Sequence, residues 1–199
     1  RNIPLKLNIL DDKEFTPPFP TNKPVVIYQG AVNLGRGIEE AILAMHQLEN
    51  VNLVIIGTGD LFNQCKKLVV DEGLTDRVIF TGRMPIEELS KITRFATIGL
   101  SVEKDMGLNY RYALPNKVFD YIQSEVPLLV SALPEIKKVV EEYDVGLVIG
   151  ETSPDAIANG IKQILGDEVN YRQWKENCRK AKEILCWENE SLILKSIYS

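Results

Sequence analysis

The sequence predicts an α/β protein with a Rossmann-like, doubly wound parallel sheet of about six strands, helices on both faces and a C-terminal helical extension. Short apolar runs alternate with segments whose apolar residues recur at the spacing of an amphipathic helix. The runs lack the polar alternation of a half-exposed sheet, which indicates strands buried on both sides. Strand–helix–strand crossovers are right-handed, so this alternation implies a parallel sheet between two helical layers.

The strands can be placed from the apolar runs. We predict them at Val25–Gln29, Val51–Ile56, Arg77–Phe80, Ala96–Val102, Leu128–Val130 and Val145–Ile149. Helices follow them, and Pro85, Pro115, Pro134 and Pro154 mark four of their starts, where the missing proline N–H has no intrahelical partner. Residues 171–199 read as further helix. In such a fold ligands bind outside the carboxyl ends of the strands, so the loops that follow the strands carry the candidate chemistry.

The N-terminal part differs from the rest. We predict that residues 1–24 are an interdomain linker and that residues 25–199 form the Rossmann-like domain with its C-terminal helices. Prolines discourage both helix and central strand, and four fall close together at Pro17, Pro18, Pro20 and Pro24. Because the chain begins with Arg1 rather than Met, we expect a fragment of a longer protein whose N-terminal domain is absent.

Composition narrows the function classes. The chain has 199 residues, 45% of them hydrophobic, which fits a single globular domain. A net charge of −5 gives no support to a nucleic-acid partner. No apolar run approaches the roughly 18 residues of a membrane span. The three cysteines, Cys65, Cys178 and Cys186, lack a zinc-binding spacing, so we expect buried free thiols and a cytoplasmic location. The sequence also offers no carboxylate cluster for Mg²⁺, so we expect no metal or other cofactor.

The loop after the first strand is rich in glycine and runs from Gly30 to Gly37. It nearly forms a P-loop, but Arg36 stands where Lys is required and Gly37 where a Ser or Thr would bind Mg²⁺. It also lacks the Gly-x-Gly-x-x-Gly dinucleotide pattern. Two interpretations remain. Backbone N–H groups and the Arg36 guanidinium can bind phosphate oxygens, or the loop is a tight turn with a surface arginine.

The stretch from Leu114 to Val130 is the second candidate. Lys117 lies close to a helix N-terminus, where the macrodipole disfavours a cation, so we expect an anionic group beside it. Asp120 lies one turn later. One interpretation is a surface Lys–Asp pair at i, i+3. The functional interpretation places Lys117 on a diphosphate and Asp120 on the two hydroxyls of a ribose, as acidic residues do in dinucleotide folds.

Several motifs in this order carry a family resemblance. They are Tyr28-Gln29-Gly30, Arg36-Gly37, Val54–Gly59, Val78–Arg83, Pro115–Tyr121 and Trp187-Glu188. With them the chain resembles the C-terminal, donor-binding half of a GT-B retaining glycosyltransferase, of the group 1, family 4-like kind found in many bacterial polysaccharide-assembly enzymes.

The resemblance implies roles for individual residues. It makes Arg36 the diphosphate-binding cation and Asp120 the ribose ligand, and it puts the base near Arg83 and Met84. Three positions depart from the family pattern. Ala31 replaces an arginine, Tyr112 stands where a first acidic residue would contact the sugar, and Asp120 is shorter than the usual glutamate. The expected catalytic cations are Arg36 and Lys117, and the expected donor-binding residues are Gly30, Gly35, Gly37, Gly57, Arg83, Met84, Pro115, Asn116 and Asp120.

The resemblance also implies the partners and the activity. We expect a UDP- or GDP-sugar as donor, an N-terminal acceptor domain of the same protein, and a lipid-linked acceptor that the protein meets as a peripheral inner-membrane enzyme. The expected activity is hexosyl transfer with retention of anomeric configuration. The present chain alone should bind donor without turning it over.

Two other functions stay open at this point. A sugar-nucleotide epimerase has the same architecture but needs further acid–base residues, and His46 is the single histidine of the chain. A non-catalytic nucleotide-binding module is favoured by Tyr112 in place of an acid.

Overall fold

The computed structural model describes residue 4 and residues 15–198. The elements alternate along the chain as the apolar runs predict. In order they are β1 (Val25–Gln29), α1 (Ile38–Ala44) with a 3₁₀ turn at Met45–Gln47, β2 (Asn52–Ile56), α2 (Phe62–Asp71), β3 (Val78–Gly82), α3 (Ile86–Thr93), β4 (Ile98–Ser101), α4 (Leu108–Arg111), α5 (Asn116–Gln123), β5 (Leu128–Ser131), α6 (Pro134–Tyr143), β6 (Gly146–Ile149), α7 (Pro154–Gly166), α8 (Glu168–Ile184) and α9 (Trp187–Tyr198).

All six strands lie in one parallel sheet with the order β3-β2-β1-β4-β5-β6. β1 and β4 are the two central strands. β2 and β3 lie beyond β1 on one side, and β5 and β6 lie beyond β4 on the other. A crevice therefore opens between the loops that follow β1 and β4, at the point where the strand order reverses. This confirms the Rossmann-like fold and its C-terminal helices, and it locates the edge at which a ligand would bind.

Helices cover both faces of the sheet. Alternate residues of β1 enter different cores, since Val26 and Tyr28 pack with α1, α2 and α7, whereas Val25 and Ile27 pack with α5 and α6. Both cores need apolar residues, which explains why the strands read as continuous apolar runs. Helix α8 contributes to both cores through different residues. None of the described helices is long and apolar enough to cross a bilayer.

The observed boundaries differ from the predicted ones in a few places. Pro85 and Pro115 have extended backbone, with ψ values of 146° and 144°, so each precedes its helix as an N-cap rather than opening the first turn. The predicted polar loop after β4 contains the short helix α4. The three cysteines are free and buried, as expected.

Most of the predicted linker, residues 1–24, lies outside the described residues. The part from residue 15 to residue 24 forms no helix or strand. Phe19 is nevertheless only 6% exposed and belongs to the same core as Val25 and Ile27. The segment that leads into β1 is therefore packed onto the domain.

Tyr121 of α5 joins the helix to the two central strands. The side chain is fully buried, and its hydroxyl oxygen accepts a hydrogen bond from the N–H of Gln29 at 3.1 Å. The same hydroxyl lies 3.2 Å from the carbonyl oxygens of Ile27 and Leu100, either of which can accept its proton. Its ring lies so close to Gly99 that a Cβ there would be 2.4 Å away. Tyr121 thereby fixes the height of α5 against the ends of β1 and β4.

Substitution of Tyr121 by Phe tests this role. The change removes the acceptor of the buried Gln29 N–H, so the free energy of unfolding should fall by about 1–3 kcal/mol in urea titrations. Tyr112→Phe is the matched control, because the Tyr112 side chain is 60% exposed and loss of its hydroxyl should change stability by less than about 0.5 kcal/mol. Equal stability of the two variants would contradict the bridging role of Tyr121.

Candidate functional site

A cleft of about 240 Å³ lies at the crevice between β1 and β4. Its floor is the end of β1, and one wall is the start of α5. The lining residues are Tyr28, Gln29, Gly30, Ala31, Arg36, Leu89, Pro115, Asn116, Lys117 and Asp120. The cleft thus brings together six of the residues selected from the sequence, which come from two segments about eighty residues apart in the chain.

The two predicted catalytic cations meet at a buried carboxylate. The Nζ atom of Lys117 lies 2.6 Å from Oε1 of Glu103, and Nη1 of Arg36 lies 3.9 Å from the same oxygen. The Glu103 side chain is 0% exposed and the Arg36 side chain 30% exposed. The anion that the position of Lys117 required is therefore supplied by the protein itself. The position of Lys117 at a helix N-terminus is thus no argument for a bound ligand.

Glu103 is held in its ionised form. Burial alone would raise the pKa of Glu103, but the Lys117 ammonium and hydrogen bonds from Lys117 and Ser101 hold it below its ordinary value. The Ser101 hydroxyl donates to Oε2 at 2.8 Å. The main-chain carbonyl of Glu103 also accepts a hydrogen bond, from Thr152 at 3.3 Å. Glu103 is therefore a fixed negative charge beneath the cleft.

Lys117 is enclosed on its other sides as well. Its Nζ atom lies 4.1 Å from the ring centroid of Tyr28, a distance at which a cation is attracted to the face of an aromatic ring. Burial lowers the pKa of Lys117, and the Glu103 carboxylate opposes that effect. An ammonium group has three donors, so the bond to Glu103 orients Lys117 without using its whole capacity for hydrogen bonds.

Asp120 occupies the far side of the cleft. Its Oδ2 atom accepts a hydrogen bond from the Gln29 side-chain N–H at 3.0 Å. The Thr93 hydroxyl lies 2.9 Å from Oε1 of Gln29 and 2.7 Å from the carbonyl oxygen of Leu89, either of which can accept its proton. Burial raises the pKa of Asp120 to about 6, and the Gln29 hydrogen bond only partly offsets this. Asp120 does not pair with Lys117. The i, i+3 surface pair considered from the sequence is therefore not formed.

Three predicted glycines support the cleft without lining it. A Cβ on Gly57 would lie 1.9 Å from the carbonyl oxygen of Gly30, and one on Gly37 would lie 2.2 Å from that of Val102. A Cβ on Gly35 would lie 2.5 Å from Sδ of Met106. All three have φ between 72° and 134°, a region that side chains disfavour. They let the loops after β1, β2 and β4 approach one another closely.

Two predicted residues lie away from the cleft. Arg83 is exposed, and Met84 packs against the core that contains α3 and α5. Tyr112 is exposed and lines a different depression. Within the described residues no group of three or more His, Cys, Asp or Glu side chains is arranged to hold a metal ion.

Two residues of the site, Glu103 and Gln29, were not predicted from the sequence. Glu103 begins a loop of mixed polar residues, and its partner Lys117 is far away in the chain, so local spacing gives no sign of the ion pair. One signal was available, because Glu103 directly follows a buried strand at the end of which ligands bind. Gln29 carried a comparable signal, since it is a polar residue at the last position of a buried strand.

The family model described as "Glycosyl transferases group 1" matches residues 11–181. It therefore spans all six strands and most of α8.

Two curated relatives are similar in sequence. An uncharacterised glycosyltransferase of Methanocaldococcus jannaschii, MJ1607, is 24% identical over 83% of this chain and 42% of its own length. The alpha-D-kanosaminyltransferase of Streptomyces kanamyceticus is 25% identical over 78% of this chain and 40% of its own length. The chain thus spans about two fifths of the curated relatives that it matches.

Solved structures share the fold. Sucrose-phosphate synthase of Thermosynechococcus elongatus superposes with a TM-score of 0.75 and 26% identity, over 90% of this chain and 46% of that one. Anabaena HepE, solved in complex with UDP-glucose, gives a TM-score of 0.75 with 14% identity, over 89% of this chain and 50% of that one.

The burial of Asp120 predicts a pH dependence of stability. Since burial raises its pKa to about 6 from 3.8, the folded protein binds the proton more tightly than the unfolded chain does. The stabilisation from the neutral carboxyl is present at about pH 4 and is lost as the pH rises through about 6. Asp120→Asn keeps an oxygen for Gln29 and removes the charge. At about pH 7.5 it should raise the free energy of unfolding by about 1–3 kcal/mol, and at about pH 4 by much less.

Chemical denaturation of both proteins across that pH range measures the difference. Asp76→Asn provides the control, because the Asp76 side chain is 71% exposed. A gain in stability from Asp120→Asn that does not change with pH would contradict the burial argument.

The Glu103–Lys117 pair predicts strongly coupled substitutions. Glu103→Gln and Lys117→Met each leave one buried charge without its partner, so each should lower the free energy of unfolding by about 3–5 kcal/mol. The double variant Glu103→Gln with Lys117→Met leaves neither charge of the pair, so its loss should be much smaller than the sum of the two. A double-mutant cycle in urea measures the coupling, and additive losses would show that the two charges do not depend on each other.

Proposed function

Because this chain belongs to the group 1 glycosyltransferase family, we propose that it is the donor-binding half of a retaining GT-B glycosyltransferase that transfers a hexose from a nucleoside-diphosphate sugar. The proposal places the diphosphate of the donor in the cleft between β1 and β4. One observation carries it: Arg36 and Lys117 converge on Glu103 at the point where the strand order reverses.

The charges of the cleft suit a diphosphate. Arg36 and Lys117 supply two positive charges and Glu103 one negative charge, so this end of the cleft keeps a net positive charge in a protein whose net charge is −5, while Asp120 lies on the far side. The first N–H groups of α5 add to it, because Pro115 at the N-cap has no side chain that could bond to them. The guanidinium of Arg36 offers the fork geometry that phosphate oxygens prefer.

These groups also suggest how the reaction is promoted. When the glycosidic bond of the donor breaks, negative charge grows on the departing nucleoside diphosphate. Fixed cations and N–H groups that already face this charge lower the barrier without reorganising. Lys117 is such a fixed cation, because Glu103 and the Tyr28 ring hold it in place. On this proposal the two side chains and the helix N-terminus serve in place of a metal ion.

On this proposal Asp120 binds the ribose of the nucleoside. Its second oxygen, Oδ1, has no hydrogen bond to any described residue and can accept one from a ribose hydroxyl. Gln29 holds the carboxylate and Thr93 holds Gln29, so the acceptor is fixed in direction. Arg83 and Met84 lie outside the cleft, so a base that contacts them would extend beyond the volume enclosed by this chain.

The donor nucleotide and the acceptor domain are proposed from the similar proteins and from the share of their length that this chain covers. HepE was solved with UDP-glucose, which supports a UDP-sugar as donor, with a GDP-sugar as the second choice. The curated relatives are more than twice as long as the matched part, which supports an acceptor domain elsewhere in the whole protein. A lipid-linked acceptor, peripheral membrane attachment and a cytoplasmic location remain part of the proposal.

Substitution of Arg36 tests the phosphate assignment. Because the side chain is 30% exposed and pairs with Glu103 only at 3.9 Å, Arg36→Ala should leave the fold intact. Loss of its charged hydrogen bonds should weaken the binding of UDP-glucose or GDP-mannose about 10- to 100-fold, as measured by calorimetry and by thermal shift. Lys67→Ala is the matched control, since Lys67 is a 75% exposed cation on α2.

Two results would count against the proposal. If the parent chain shows no thermal shift with UDP-, GDP- or ADP-sugars, the cleft is not a donor site. If the parent binds and Arg36→Ala binds equally well, the diphosphate lies elsewhere.

A further inference from the structure

The Arg36 side chain reaches the cleft with little to hold it in place. It is 30% exposed, and its Nη1 atom lies 3.9 Å from Oε1 of Glu103, which is beyond hydrogen-bond distance. Its guanidinium donates no hydrogen bond to any described residue. Arginine has many rotamers, and fixing them when a ligand binds costs free energy. A second contact that restricts Arg36 beforehand would therefore strengthen binding.

Tyr110 of α4 makes that second contact. The Cζ atom of Arg36 lies 5.6 Å from the centroid of the Tyr110 ring, within the range in which a guanidinium is attracted to an aromatic face. Arg36 lines the cleft, whereas Tyr110 is not one of its lining residues. Tyr110 can therefore act on Arg36 without itself contacting a ligand in the cleft.

An aromatic contact suits an arginine that has to bind phosphate. The five N–H donors of a guanidinium lie in its plane, and an aromatic ring attracts the face of the group without accepting those hydrogen bonds. A carboxylate in close contact would instead occupy two of them. Tyr110 thus restricts Arg36, and Glu103 attracts it from 3.9 Å, while the donors of the guanidinium remain available.

Tyr110 is itself fixed to the glycine-rich loop that carries Arg36. The Tyr110 hydroxyl donates a hydrogen bond to the carbonyl oxygen of Leu34 at 3.0 Å. A Cβ on Gly35 would lie 3.0 Å from Cε1 of Tyr110, so the glycine lets the ring approach the backbone closely. The ring is therefore held against the two residues that directly precede Arg36.

Other contacts join the two loops independently of the tyrosine ring. The N–H of Lys104 donates to the carbonyl oxygen of Gly35 at 2.9 Å, and the Lys104 ammonium pairs with a carboxylate of α1. Arg111 donates two hydrogen bonds to Asp105, at 2.8 and 2.6 Å, within the loop that contains α4. Replacement of the Tyr110 ring should therefore leave the loops in place.

We propose that Tyr110 is a positioning residue, whose ring holds the Arg36 guanidinium in the orientation in which it binds the diphosphate of the donor. This inference rests on the proposed function, because it takes Arg36 to be a diphosphate ligand. It gives a role to the loop between β4 and α5, none of whose residues from 103 to 113 lines the cleft.

Substitution of Tyr110 by Leu tests the proposal, with UDP as the probe. Leucine keeps apolar bulk against Gly35 but has no ring to attract a cation, so UDP binding measured by calorimetry should weaken about 3- to 10-fold. Tyr110→Phe keeps the ring and should bind UDP within about twofold of the parent. Leu108→Ala is the matched control, because Leu108 lies on the same helix and is 70% exposed.

Two results in this series would overturn the proposal. If Tyr110→Leu binds UDP as tightly as the parent and the Leu108→Ala control do, the ring does not assist Arg36. If Tyr110→Phe binds as weakly as Tyr110→Leu, the hydroxyl matters and the ring does not.

A double-mutant cycle shows whether Tyr110 acts through Arg36. In the Arg36→Ala background, Tyr110→Leu should cause no further loss of UDP binding, because no guanidinium remains to be oriented. A change in the shape of the loop would weaken binding in both backgrounds. Equal losses in the two backgrounds would therefore overturn the positioning role.

NMR spectra of the 199-residue chain without nucleotide separate this inference from the donor assignment. The ring should shift the Hε and Hδ signals of Arg36 in the parent and in Tyr110→Phe, and this shift should vanish in Tyr110→Leu. Identical Arg36 signals in all three proteins would overturn the proposal, whether or not UDP binds. A parent chain that shows the ring-dependent shift but binds no UDP-, GDP- or ADP-sugar would overturn the proposed function, while the positioning of Arg36 by Tyr110 would stand.

Discussion

The ion pair between Glu103 and Lys117 connects the end of β4 to the start of α5, and the geometry of the candidate donor site depends on it. Both side chains are almost fully buried, so each charge is tolerable only because the other is present. Arg36 approaches the same carboxylate from the loop after β1. One negative charge thus sets the positions of two cations from different parts of the chain. Without it, Lys117 would lie at a helix N-terminus and against Tyr28 with no anion to hold it.

The close packing of the loops depends on backbone as much as on charge. Tyr121 holds α5 to the ends of β1 and β4 through its hydroxyl, and Gly57 lets the loop after β2 touch Gly30. The strand order reverses at this point, so the two central loops diverge and leave the crevice open. The sheet topology leaves the opening, and the cations Arg36 and Lys117, both held beside Glu103, supply its positive charge.

The sequence was sufficient for the fold and for one half of the site. Continuous apolar runs predicted all six strands to within two residues or so at each end, because burial on both faces leaves no room for polar alternation. Arg36, Lys117 and Asp120 could be selected because each follows a recognisable local pattern. Glu103 and Gln29 could not, because their partners are distant in the chain and a long-range pair leaves no periodic trace. For the same reason the sequence predicted an anion beside Lys117 but could not show that this anion is the Glu103 side chain.

The cleft brings ionisable groups together at some expense of stability, and its two carboxylates differ in how their charges are compensated. Glu103 and Lys117 compensate each other, as a structural pair would. Asp120 does not, because it is buried with one amide partner and with no cation paired to it among the described residues, so its pKa is raised rather than lowered. A carboxylate kept only for packing would be replaced by a neutral residue without loss, since burying its charge is costly. An uncompensated carboxylate that faces a cleft, with one oxygen already oriented by Gln29, is the arrangement expected of a residue that receives hydrogen bonds from a ligand.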